Sequence, residues 1–169
     1  KIIKNYSNYY LKKKISSLYP TEFVVRSFLG NYPKYKISKN FKNKKILDLS
    51  FGDGKNIKFL FEQGFKVYGT EISKTIIQKC MQYLNKNKIK AELKVGFNSA
   101  IPYKNNFFNY VLACHSCYYL DESDVFDDNL REISRVLKKN GTFVGSVPNM
   151  NNYYFKDREK ISVNKFKIK

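Results

Sequence analysis

A chain of 169 residues with 43% apolar and 27% charged side chains is long enough for one domain with a real core and too apolar for a disordered polymer. No stretch reaches the roughly 18 consecutive apolar residues of a membrane span, and three cysteines are too few and too odd in number for a disulfide framework. The net charge of +18 invites an anionic partner, but that charge is unevenly spread.

Residues 1–45 carry twelve Lys/Arg against Glu22 alone, residues 46–150 carry fourteen against eleven acids, and residues 151–169 carry six against two. The middle of the chain, where a folded core is expected, is close to neutral. Lys outnumbers Arg 28 to 4, whereas base-edge readers and bidentate phosphate clamps favour Arg. Lys, Asn, Ile, Phe and Tyr, all encoded by A/T-rich codons, make up about half the chain. Nucleic acid is therefore an open partner but not the favoured one. A reduced, soluble, cytoplasmic α/β protein is expected, and an opening Lys1 in place of Met reads as a piece of a longer protein.

Residues 1–44 read as a basic, Tyr-rich helical cap, in which Thr21 caps a short helix running through Leu29 and ending at Gly30. Lys45–Ser50 is a strand that ends in a glycine turn. Gly54–Gln63 places Ile57, Leu60 and Phe61 at helical spacing, with Gly64 suited to the residue after the helix. Phe65–Glu71 is the second strand. Ser73 caps a helix whose Ile76, Ile77, Cys80, Met81 and Leu84 share one face.

Ala91–Val95 and Phe108–Cys114 are the third and fourth strands. Ser123 caps the next helix, with Asp124, Asp127 and Asp128 early and Arg131, Arg135, Lys138 and Lys139 late, the sign order a helix dipole favours. Its buried stripe is Phe126, Leu130, Ile133 and Leu137. Gly141 ends it, and Thr142–Val147 is a fifth strand stopped by Pro148. Strands alternating with helices predict a doubly wound, mostly parallel sheet with helices on both faces. Residues 45–150 form the ligand-binding core and residues 151–169 a basic C-terminal extension of the same domain.

The segment that carries chemistry is Asp48-Leu49-Ser50-Phe51-Gly52-Asp53-Gly54, with Glu71 ending the second strand. In a doubly wound sheet, ligands bind beyond the carboxyl ends of the strands. A glycine turn there lets backbone N–H groups come close to a ligand, and an acid ending the next strand suits two ribose hydroxyls. A dinucleotide fingerprint needs a third glycine where Ile57 stands. Asp48 in the turn would repel a pyrophosphate but suits the ammonium end of an amino acid. S-adenosylmethionine fits better than NAD.

At these residues the chain resembles the class I S-adenosylmethionine-dependent methyltransferases, from about Lys45 to Pro148. Asp48–Gly54 resembles the family's D-x-G-x-G-x-G motif, and Glu71 stands at its ribose-binding acid. Residues 96–103 (GFNSAIPY) resemble G-D-x-x-x-L-P-F, residues 107–111 (FFNYV) resemble F-D-x-V, and residues 135–141 (RVLKKNG) resemble R-x-L-K-P-G-G. The resemblance implies the Rossmann-like methyltransferase fold, S-adenosylmethionine as cofactor and S-adenosylhomocysteine as product. The cofactor residues it implies are Asp48, Ser50, Phe51, Gly52, Gly54, Asn56, Glu71, Ile72, Phe97, Asn98, Ser99 and Cys114.

Three positions depart from the family pattern. Ser50 replaces the first glycine of the motif, so a Cβ must be accepted near the ligand or the hydroxyl must be used. Phe97 stands at the adenine-binding acid, and Asn109 replaces the acid of the fourth strand. The family sheet ends in an antiparallel pair, which only 22 residues after Val147 leave truncated or much reduced.

Around this site several roles stay open. Asp48 braces the turn, contacts ligand, or does both. Asn56 offers an amide to the methionine carboxylate or is a plain helix-start residue. His115, the only histidine, follows the fourth strand as a general base or as a wall of the acceptor pocket. No second cysteine pair accompanies Cys114 and Cys117, so no metal site is expected. Tyr6, Tyr9, Tyr10 and Tyr19 cover the ligand or pack as a cap, Arg26 meets a carboxylate, and Tyr118 and Tyr119 line the acceptor pocket or pack. The expected activity is methyl transfer to oxygen or nitrogen of a small-molecule or glycan-type acceptor. The alternatives are an RNA or DNA methyltransferase using the basic ends, and a non-catalytic S-adenosylmethionine-binding module.

Overall fold

Five strands, β1 (Lys45–Leu49), β2 (Lys66–Glu71), β3 (Ala91–Val95), β4 (Phe108–Cys114) and β5 (Leu137–Ser146), form one parallel sheet in the order β3-β2-β1-β4-β5. The computed structural model describes residues 8, 10, 12, 19–31, 37–120, 124–149, 151, 152, 155, 158, 160–162, 165 and 166. The central strands β1 and β4 are buried nearly throughout, as a sheet covered on both faces requires, while edge strand β3 is mostly open to solvent. The strands run parallel, but the connections leave β1 toward β2 and β3 on one side and return to β4 and β5 on the other, so the loops after β1 and β4 diverge at the carboxyl end of the sheet.

Helices α1 (Glu22–Leu29), α2 (Lys55–Glu62) and α3 (Lys74–Lys86) pack on one face, where Val24, Phe28, Ile46, Ile57, Leu60 and Leu84 share a core cluster. Helix α4 (Phe126–Val136) covers the other, where Leu47, Leu49, Phe108, Val111, Ile133 and Val136 pack together. Ile46 and Leu47, adjacent on β1, serve opposite faces because strand side chains alternate. The doubly wound architecture is therefore as expected, with α1 sharing the first core. The stretch between β3 and β4 crosses over without a helix, and its Ile101 and Tyr103 fill the α4 face.

Most element ends match the sequence. Ser73 Oγ accepts from Ile76 N–H at 3.5 Å, and Gly64, at φ 92°, follows α2 as a C′ residue should. The α4 region differs. Ser123 lies outside the described residues, and the helix starts at Phe126, with Asp128 Oδ2 accepting from Val125 N–H at 3.1 Å. It ends at Val136, so Leu137, Lys138 and Lys139 are not helical. The cause is competition for the last carbonyls: Asn106 N–H donates to Arg135 O at 2.9 Å and Phe107 N–H to Val136 O at 2.8 Å. The left-handed residue beyond it is Asn140, at φ 62°, rather than Gly141.

The buried face of α4 is also rotated from the expected stripe. Phe126 and Leu130 are exposed, and Asn129 is fully buried beside Ile133 and Val136. Asn129 Nδ2 donates to Cys117 O at 2.8 Å and Tyr119 O at 2.9 Å, closing the loop after β4. A polar residue takes the inward position because that loop has carbonyls to satisfy. Among the described residues the main sheet ends at β5, and β6 (Lys160–Ser162) and β7 (Lys165–Phe166) pair antiparallel in a separate two-stranded sheet. No helix among the described residues is long and apolar enough to cross a membrane.

Candidate active site

Between β1 and α2 the chain turns through Gly52 at φ 61° and Gly54 at φ 77°, conformations that favour glycine. Space demands glycine as well. A Cβ on Gly52 would lie 2.7 Å from Tyr10 Oη, and one on Gly54 would lie 2.5 Å from Cys80 Sγ. Gly54 is the N-cap of α2, so the helix presents its first N–H groups at the turn.

Glu71, buried at the tip of β2, holds this turn from below. Its Oε2 accepts from Gly52 N–H at 2.9 Å and its Oε1 from Ile72 N–H at 2.8 Å. The carboxylate thus sits beside the turn, as its place in the sequence implied, but it does not line the open cleft.

Ser50 stands at φ 54°, left-handed for a residue with a Cβ. Its hydroxyl donates to Asn98 Oδ1 at 2.8 Å, and Asn98 Nδ2 donates to Ser116 O at 2.8 Å. Ser116 Oγ in turn donates to Leu49 O at 2.6 Å. One run of hydrogen bonds therefore ties the loops after β1, β3 and β4 together. Sequence reasoning left the use of the Ser50 hydroxyl open; Asn98 is its partner.

Above the turn opens a cleft of about 260 Å³. Of the expected cofactor residues, Asp48, Ser50, Phe51, Gly52, Asn56 and Cys114 line it, joined by His115, Tyr10 and Tyr118. Gly54, Glu71, Ile72, Phe97, Asn98 and Ser99 do not line it. Asn98 is buried in the network just described, and Phe97 is exposed on the loop after β3, where it bridges to Ala100. Tyr19 is exposed, and Arg26 pairs with Glu22 at 3.2 Å on the surface of α1. Tyr6 and Tyr9 lie outside the described residues. Asn56 Oδ1 accepts from Thr21 N–H at 3.0 Å, so this amide anchors the start of α1.

Asp53, Lys55, Ser116 and Tyr119 complete the lining. Asp53 and Lys55 were missed as site residues although the first lies inside the glycine motif and the second opens α2, a position that faces any ligand of the turn. His115 sits at the tip of β4 at φ 55°, its N–H donating to Ser146 Oγ at 3.0 Å.

Three carboxylates meet here. Burial pushes the Asp48 carboxyl up to about 8, and Glu71 and Asp53 push in the same direction while Lys55 opposes them. Asp48 Oδ2 is buried with no hydrogen-bond partner among the described residues. Burial, then these same carboxylates, pushes the Cys80 thiol up to about 12. Burial also raises the Cys114 thiol. The thiols therefore stay neutral, and the cleft carries an excess of acid. A glycine lining the cleft, a helix start and a buried orphan carboxyl oxygen suit a ligand with a cationic amino-acid end.

Away from the cleft, Arg135 fixes the loop that follows β3. It donates to Ile101 O and Tyr103 O, each at 2.8 Å, and to Asn105 Oδ1 at 2.7 Å. Glu132 pairs with it at 2.6 Å and accepts from Ile101 N–H at 2.8 Å.

A family described as a methyltransferase domain matches residues 47–145, more than half of the chain. The curated "Ubiquinone biosynthesis O-methyltransferase" of Pelagibacter ubique (strain HTCC1062) is 27% identical over 119 residues, covering 70% of this chain and 48% of that protein. The solved structure of the PH0226 protein from Pyrococcus horikoshii OT3 is 30% identical at a TM-score of 0.57, covering 62% of this chain and 49% of that one. A SAM-dependent methyltransferase from Aquifex aeolicus, 21% identical at a TM-score of 0.51 over 59% of this chain and 54% of its own, shows the shared fold. The chain spans about half the length of the curated relatives it matches.

Proposed function

Because the chain belongs to the class I S-adenosylmethionine-dependent methyltransferases, we propose that it binds S-adenosylmethionine over the Asp48–Gly54 turn and transfers a methyl group to a small-molecule acceptor. The observation that carries this reading is the bond from Gly52 N–H to Glu71 Oε2, which sets a carboxylate and the glycine turn side by side at adjacent strand tips. The bound cofactor supplies an activated methyl on a sulfonium. The chain's own part is to hold and align it. Gly52, without a side chain, lets the ligand come close to the backbone of the turn, the start of α2 favours the methionine carboxylate, and Glu71, whose oxygens each accept one backbone N–H, keeps a second lone pair on each for the ribose hydroxyls.

The acceptor enters from the side of His115, Tyr118 and Tyr119, which line one wall of the cleft. In-line displacement depends mainly on alignment and exclusion of water. His115 takes the proton that an attacking hydroxyl or amine must lose. The name of the Pelagibacter relative, an O-methyltransferase, supports oxygen as the accepting atom. A reduced, cytoplasmic setting belongs to the same reading, since Cys80, Cys114 and Cys117 are all free thiols.

Calorimetric titration with S-adenosylmethionine tests the assignment. Glu71→Ala should weaken binding by about 1–3 kcal/mol, the range for losing a hydrogen bond to a charged group. An unchanged affinity removes the ribose role of Glu71.

A further inference from the structure

We propose that a surface of lysines and aromatic rings at the amino end of the sheet, on the α4 face, binds the backbone of single-stranded nucleic acid. The cleft lies at the opposite, carboxyl end of the strands, so a nucleic acid held here is docked rather than methylated at this surface. Nothing in this surface depends on what the cleft binds.

Four neighbouring strands supply the cations. Lys45 and Lys66 open β1 and β2 and stand side by side in the parallel register. Val67 packs in the first core, so alternation turns Lys66 to the α4 face, where Lys45 covers the ring of Phe107. Lys104 comes from the loop before β4 and Lys138 from the start of β5. Lys45 Nζ lies 3.6 Å from the centre of the Phe107 ring, and Lys104 Nζ lies 5.5 Å from the same centre. Burial, then the charges of Lys138, Lys104 and Lys66, lowers the Lys45 ammonium, with Glu92 the one acid opposing them. Glu92 is already paired with Lys94 at 2.9 Å. Among the described residues none of Lys45, Lys66, Lys104 and Lys138 forms an ion pair.

A/T-rich composition explains why lysine is common, but not why it is segregated. Asp48, Asp53 and Glu71 gather at the carboxyl end of the sheet, and Asp127 and Asp128 open α4 at that same end. Crowded like charges repel, so the lysine face carries an electrostatic cost that an anion relieves. Two features favour a nucleic acid over a lipid surface. The cations follow the strand order β2-β1-β4-β5, a row about 15 Å long at the usual strand spacing. A row matches successive phosphates of one chain better than a broad layer of headgroups. Among these lysines lie the half-buried rings of Tyr68 and Phe107, 5.2 Å apart between centres and left partly open because the β3–β4 crossover carries no helix. Aromatic faces among cations suit stacked bases. Lysines supply point charges rather than the forks that read base edges, so binding should be independent of sequence.

The test is fluorescence anisotropy of a labelled, mixed-sequence RNA of about 20 nucleotides with the whole chain, across a salt series. Each phosphate neutralised on a single strand adds about 0.7 to the steepness of log affinity against log salt. The combined variant Lys66→Gln, Lys104→Gln, Lys138→Gln should therefore lower that steepness by about two and weaken binding at least about tenfold. Arginine at the same three positions should keep the affinity. The equal charge change Lys58→Gln, Lys74→Gln, Lys86→Gln, at exposed positions of α2 and α3 across the sheet, should alter binding by less than about threefold. Equal losses in the two glutamine variants overturn the proposal, leaving only diffuse attraction by net charge, and failure of the unaltered chain to bind RNA overturns it as well. So does RNA binding that S-adenosylhomocysteine abolishes, which would put the strand in the cleft. Sedimentation with phosphatidylserine vesicles covers the other polyanion: if the first variant loses vesicle binding while RNA binding is unchanged, the surface belongs to a membrane and the proposal fails.

Discussion

The Ser50 hydroxyl meets Asn98 Oδ1 at 2.8 Å across the tips of β1 and β3. Ser50 occupies a position where the backbone, at φ 54°, would favour glycine. The hydroxyl compensates for that conformation by fastening two loops. Ser50→Ala should destabilise the chain by about 1 kcal/mol, the net value of a typical hydrogen bond. Ser50→Gly loses the same bond but sheds the left-handed strain, so it should cost less. A double-mutant cycle with Asn98→Ala, read by urea unfolding, should return a coupling of about 0.5–1.5 kcal/mol.

Asp48 makes stability depend on pH. Its carboxyl is raised from an ordinary value near 3.8 to about 8 in the folded chain. The folded state therefore binds the extra proton between those values, and stability falls as pH rises from about 4 to about 8, by at most about 1.4 kcal/mol per pH unit. Above about 8 the fall levels off. Asp48→Asn should remove this slope and leave the variant more stable than the parent at pH 8, as measured by unfolding midpoints across the range.

His115 tests the chemistry without disturbing the backbone. Asparagine tolerates the left-handed conformation that His115 holds at φ 55°. His115→Asn should lower kcat by about a hundredfold or more while leaving cofactor Kd within about twofold. Unchanged turnover against the true acceptor would make this side chain a wall of the pocket.

Arg135 is a structural keystone rather than a ligand. Its guanidinium serves Glu132 and three acceptors in the 101–105 loop. Arg135→Ala should destabilise the chain by about 2–3 kcal/mol, and Arg135→Lys should recover little, because an ammonium cannot reproduce the planar fork. Hydrogen exchange at Ile101 N–H, which pairs with Glu132, should speed up in both variants.

The sheet was legible because its signals are local. β3 and β4 begin and end where apolar runs meet turn residues, and Gly64 and Ser73 mark helix ends with their own backbone and side chain. The glycine turn was legible for the same reason. What the sequence hid depends on distant partners. The end of α4 is set by Asn106 and Phe107, some thirty positions earlier in the chain, whose N–H groups take its last carbonyls. Asn129 turns inward because the loop after β4 needs donors. Asn56 is drawn to Thr21 across 35 positions, a pairing that no local pattern encodes.

Glu71 grips Gly52 and Ile72 before any ligand is present. The bend over which a nucleoside would settle is therefore shaped during folding. Ordering that loop is no longer an entropic toll on association, and more of the contact energy between ligand and chain survives as affinity.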